Sequence, residues 1–179
     1  AEMEALMARA PVGAGGVRMY PFFSGERVPA LPRARGVVRG LSQDNLTREN
    51  LMRATAEAVA LGLKWGYERM ADKITRPHQY CLTGGGANSA AWRQILADVF
   101  ETEVVRVRSD EGGALGAALL AVAMHQNHLG QATSLRAVCD QYVALDYNLS
   151  ARPNLESVQA YQALFETYAR EISQGQFDA

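Results

Sequence analysis

Leu82-Thr83-Gly84-Gly85-Gly86-Ala87-Asn88-Ser89 is the stretch whose reading decides the fold. Residues 78–83 before the glycines form a compact, strand-like apolar run. After them Trp92, Ile95, Leu96 and Val99 recur at spacings of three and four, which predicts a helix over 88–100. Glycines at such a strand-to-helix junction reach positive φ and let a ligand come close to the backbone. The helix beyond should open with unpaired N–H groups and a partial positive charge, which suits an anionic or polar ligand. A tight turn joining two packed elements would need the same residues, so the turn alone leaves both readings open. Two familiar motifs are disfavoured by spelling. No lysine follows the glycines as a P-loop requires, and Ser89 stands where a dinucleotide fingerprint needs its last glycine.

Working outward, residues 103–107 read as a second strand and 112–126 as a helix rich in small residues. A strand–helix–strand–helix order implies a parallel crossover with helices covering a sheet. Gly112, Gly113, Gly116 and Ala117 are better explained by close packing than by ligand contact, and Asp110 and Glu111 suit a helix N-terminus. Upstream, Thr47 is the expected N-cap of a helix reaching to about Lys73, with Leu51, Ala54, Ala58, Leu61 and Trp65 on one face. Before it come a helix at 2–9, a turn at 13–16, and short strands at 17–23 and 36–41. A loop rich in Pro, Gly and Arg separates those strands. A last helix over 154–173 carries Val158, Tyr161, Leu164, Phe165, Tyr168 and Ile172 on one side.

The 179 residues suit a single domain with a substantial core. Hydrophobic residues at 48%, charged residues at 21% and a net charge of −1 fit a globular chain without an electrostatic case for nucleic acid or an anionic membrane. Cys81 and Cys139 lie far apart and read as reduced thiols. No apolar run is long enough to span a bilayer and no signal peptide opens the chain, so a cytoplasmic location follows by elimination. The acceptor patterns at Asn45 and Asn148 then carry no meaning. Ala1-Glu2-Met3 reads as the middle of a helix, which suggests a piece of a longer polypeptide.

Few other residues offer chemistry. Glu26 and Arg27 end the aromatic run Tyr20-Pro21-Phe22-Phe23-Ser24-Gly25, either at a cleft mouth or as a solvated loop. His125 and His128 lack a Cys, Asp or Glu at ligand spacing, so metal binding is not expected. No nucleophile elbow, H-E-x-x-H helix or catalytic triad is visible.

Taken together, four segments in order resemble the FGGY family of carbohydrate kinases. They are Ser24-Gly25-Glu26-Arg27-Val28-Pro29, Ala34-Arg35-Gly36-Val37 with Gly40-Leu41, the turn at 84–89, and Ala114-Leu115-Gly116-Ala117-Ala118. The family's second signature falls on Gly36, Val38, Gly40, Leu41, Asn50, Leu51, Ala54, Thr55 and Glu57, with a departure at Ala56, where a large apolar residue is usual. Within the family, the Ser24–Pro29 loop is most similar to xylulose kinases.

The resemblance implies an actin-like, ribonuclease-H-like α/β fold, a mixed sheet covered by helices. Residues 1–179 would be the nucleotide-side part of the C-terminal domain, with the N-terminal domain and the start of this domain absent. ATP would lie between two domains, its adenosine end lined by Gly84, Gly85 and Gly86, with Asn88 or Ser89 near the base or ribose. Glu26 and Arg27 would sit at the cleft. The implied reaction moves the γ-phosphate of ATP, with Mg²⁺, to a sugar hydroxyl, D-xylulose giving D-xylulose 5-phosphate. The alternatives are ribulose, glycerol or gluconate as substrate, or a non-catalytic actin-like nucleotide module. The family's base aspartate belongs upstream, and Asp98, Asp110 and Asp140 do not match its motif. The fragment alone should be inactive. The implied partners are the sugar, ATP and the missing domain, and a homodimer stays open.

Overall fold

The computed structural model describes residues 2–175 and Phe177. Its organising element is α2, Arg48–Glu68, which contacts α1 (Glu2–Arg9), β1 (Arg18–Tyr20), α3 (Ala90–Phe100) and α6 (Leu155–Ser173). Thr47 starts α2 as anticipated, its hydroxyl accepting from the Asn50 N–H at 3.2 Å. Ala54, Ala58, Leu61 and Trp65 are buried on the predicted face. The helix ends at Glu68 rather than near Lys73, and turns follow it.

Buried side chains of α2, α3 and α6 meet in one core with Tyr20, Phe22, Val104 and Ala151. Ile95 and Val99 of α3 and Tyr161 of α6 are at most 1% exposed, and burying an aliphatic side chain such as Ile95 or Val99 contributes roughly 1.5–3 kcal/mol. α2 also buries polar groups, and each finds a partner. Lys64 Nζ donates to the Val99 carbonyl at 2.8 Å and Glu101 at 3.2 Å, placing a cation at the carbonyl end of α3.

Two sheets form. β1 pairs antiparallel with β2, Val37–Arg39, both shorter than the sequence suggests. The second sheet runs β3 (Gln79–Leu82), β4 (Glu103–Val107), β5 (Leu145–Ala151). β3 and β4 are parallel with α3 crossing between them, as the alternation of elements requires, and β5 adds antiparallel to β4. β5 and the short α5, Leu135–Tyr142, are not evident in the sequence. α4, Gly112–His128, packs on α5 through Leu119, Ala123 and Val138. Its outer side stays uncovered, with Leu120 50% and Met124 66% exposed. No helix among the described residues is long and apolar enough to cross a membrane. Both cysteines are free thiols.

Candidate functional site

Because β3 and β4 run in parallel, the loops leaving their C-terminal ends lie side by side, the usual place for a ligand crevice in such sheets. The first loop carries the glycines and the second carries residues 108–111. Thr83 joins them by donating its hydroxyl proton to the Ser109 carbonyl at 2.8 Å. α4 then starts hard against Thr83. A Cβ on Gly112 would lie 2.5 Å from the Thr83 methyl, so only glycine fits there. This agrees with the packing role expected of that residue.

The glycines do not lead directly into α3. Gly84 has φ 82° and ψ −178°, a conformation that favours glycine, and residues Gly85–Asn88 make a short 3₁₀ turn. The turn closes by hydrogen bonds from Ala87 N to the Gly84 carbonyl at 2.9 Å and from Ser89 N to the Gly86 carbonyl at 3.1 Å. Ala87 is fully buried, and buried Arg93 holds its carbonyl from behind at 2.5 Å. Cβ atoms added to Gly84 or Gly85 would meet nothing within 4 Å, whereas one on Gly86 would touch the Trp92 ring at 3.4 Å. The turn is pinned from inside and its outer backbone face is open. Asn88 is exposed and its side chain makes no hydrogen bond among the described residues.

Ser89 has a different environment. It is the N-cap of α3, which begins at Ala90 and not at Asn88; its Oγ accepts from Trp92 N at 3.1 Å and its hydroxyl donates to Glu4. Glu4 Oε1 also accepts from Ala91 N at 2.8 Å. The expectation of a bare helix N-terminus facing a ligand is therefore corrected: a carboxylate from α1 already fills it. Burial opposes the charge on Glu4. Hydrogen bonds from Ser89, Ala91 and Ala90, with the nearby Arg93 cation, outweigh that and hold its carboxyl below the ordinary range. Glu4 was missed because it lies 85 residues from Ser89 in the chain and no local pattern marks the pairing.

Glu26 and Arg27 are not drawn into this turn. Glu26 bends back on its own loop, accepting from Arg27 N at 2.7 Å and Val28 N at 3.4 Å, while Arg27 is exposed. Glu26 instead lines a mostly apolar groove of about 830 Å³ between α2 and β3, whose walls include Val59, Leu63, Met70, Tyr80 and Leu82. None of residues 84–89 lines that groove. Among the described residues no cluster of three or more His, Cys, Asp or Glu side chains is placed to hold a metal ion.

Residues 1–125 match the C-terminal domain of the FGGY family of carbohydrate kinases. The chain belongs to that family. Over 173 residues it is 41% identical to a xylulose kinase from Haemophilus influenzae, an alignment covering 97% of this chain and 34% of that protein. A ligand-bound xylulose kinase from Lactobacillus acidophilus superposes with a TM-score of 0.83 at 25% identity, covering 97% of this chain and 34% of the other. A gluconate kinase from the same organism gives 0.82 and 25% over the same shares. The fold of this FGGY domain is accordingly the actin-like ATPase fold. The chain spans about a third of the length of the relatives it matches.

Proposed function

We propose that this FGGY domain forms the adenosine side of the ATP cleft in a full-length sugar kinase that phosphorylates D-xylulose. The carrying observation is the open backbone face of Gly84 and Gly85 at the C-terminal end of a parallel strand, on a chain of this family. Open glycines fit a flat ring or a ribose, because nothing but backbone meets the ligand. Asn88 adds an exposed amide able to donate to and accept from a base edge or a hydroxyl. Ser89 serves the site indirectly, by fixing the start of α3.

Phosphoryl transfer depends on positioning and charge neutralisation. In this reading Mg²⁺ would arrive with the ATP phosphates, whose loops the family resemblance places in the rest of the polypeptide. The base that takes the sugar proton would likewise come from the rest of the polypeptide. That remainder has somewhere to dock. β3 is an edge strand beside the apolar groove, and the relatives are about three times as long as this chain. Free thiols suit the reducing cytoplasm.

The gluconate kinase superposes as well as the xylulose kinase does, which favours gluconate as the second reading. Following ADP release by the full-length polypeptide with ATP, Mg²⁺ and D-xylulose, ribulose, gluconate or glycerol separates the two. The expected result is turnover with D-xylulose at the highest kcat/KM. Turnover with gluconate alone would move the assignment, and none with any acceptor would reject a kinase.

A further inference from the structure

An α-helix leaves its first four backbone N–H groups without intrahelical partners, and such an end is a ready anion site. At α3, beside the glycine turn, partners from within the chain already meet this end. The Ser89 N–H goes to the Gly86 carbonyl at 3.1 Å, that of Ala91 to Glu4 at 2.8 Å and that of Trp92 to the Ser89 side chain at 3.1 Å, and the Ala90 N–H adds to the field that favours the Glu4 carboxylate. The position an anion would occupy is held by a carboxylate from another helix. Two positive sources converge there, the helix end itself and Arg93. The Arg93 residue is 5% exposed, and its Nε has no hydrogen-bond partner among the described residues. Glu4 offsets both. By contrast α4, which begins across the Thr83–Ser109 bond, has no side-chain cap.

We propose that Glu4 is a specificity-determining residue of the glycine turn: its carboxylate fills the anion position of α3, so the turn receives the uncharged nucleoside end of a nucleotide and turns its phosphates away. This rests on the nucleotide reading above. The turn offers a nucleoside an open glycine face and an exposed amide, and offers a phosphate a like charge bonded to Ser89, the residue that ends the turn, and to Ala91. Removing that charge leaves the helix end and Arg93 uncompensated, which is an attractive environment for an anion.

The test follows backbone amides by NMR in the full-length polypeptide, with adenosine and inorganic pyrophosphate titrated separately into wild type, Glu4→Ala and Glu4→Gln. In wild type, adenosine moves the amides of residues 84–86 and pyrophosphate leaves Ala90 and Ala91 unmoved. In Glu4→Ala, pyrophosphate moves Ala90 and Ala91, binding about threefold to tenfold more tightly than to wild type. Glu4→Gln keeps the cap and removes only the charge, so it shows a smaller gain at the same amides and serves if the alanine variant does not fold. If adenosine moves the turn and pyrophosphate also moves Ala90 and Ala91 equally in wild type, the proposal falls and the nucleotide reading stands. Absence of any gain in the variants has the same consequence. If adenosine leaves residues 84–86 unmoved, the nucleotide reading falls and takes the proposal with it.

Discussion

Glu57 and Arg53, one turn apart on α2, tie together distant parts of this molecule. Its Oε1 accepts from Gly13 N at 3.0 Å, Arg53 Nε at 2.8 Å and the Tyr161 hydroxyl at 2.8 Å. Arg53 in turn donates to the carbonyls of Met7 and Ala10, both at 3.1 Å. The end of α1, the turn after it, α2 and α6 thus meet at one ion pair. The buried Tyr161 hydroxyl, beside that negative charge, has its pKa pushed well above the usual phenol value. Glu57→Ala would strand a guanidinium with a side chain only 11% exposed, together with the Gly13 N–H. Removing one partner of a buried ion pair costs about 3–5 kcal/mol. Urea unfolding monitored by circular dichroism should show a loss of that size, and a loss under about 1 kcal/mol would mean the network is ornamental.

Elements differ in how clearly the sequence announces them, and the reasons are physical. α2 is legible because its buried positions repeat over 21 residues and Thr47 marks its start. β4 falls on the expected 103–107, since its apolar run is bounded by turns. β5 is not legible. Leu145–Ala151 is polar and half-exposed, and it becomes a strand only by pairing with β4, which no local signal encodes. The acceptor pattern at Asn148 lies inside it. α5 has only eight residues, too few for a period to show, although Ser134 caps it. At the site, the turn could be read from Gly84, Gly85 and Gly86, but not that Gly84 and Gly85 face open space while Gly86 lies against Trp92. The filled α3 N-terminus could not, because Glu4 arrives from a helix 85 residues away. Local conformation was readable; what docks against it was not.

At the scale of the whole molecule, the uncovered apolar surfaces carry the information. The groove between α2 and the β3 edge exposes Val59 at 43%, Leu63 at 54% and Met70 at 51%, spaced along one side of α2 and the turn beyond it. If the rest of a full-length kinase packs there, Leu63→Lys has opposite consequences in two contexts. In this chain alone it should change unfolding free energy by no more than about 0.5 kcal/mol, as exposed substitutions do. In the full-length protein it would bury an unpaired ammonium and cost several kcal/mol. Parallel urea titrations of the two proteins check this, and equal small effects in both would leave the groove unassigned.

The central claim is that the backbone of the glycine turn is where a nucleotide meets this domain. Gly85 isolates it, because its φ is not positive and a Cβ there meets nothing, so a valine blocks the ligand and leaves the chain unstrained. Calorimetric titration of ADP into the full-length protein and its Gly85→Val variant, with the melting temperature of each recorded, is the most direct measurement. The account predicts binding weakened by about tenfold or more, a change of roughly 1.4 kcal/mol, with an unaltered melting temperature. Equal affinity in two equally stable proteins would contradict it.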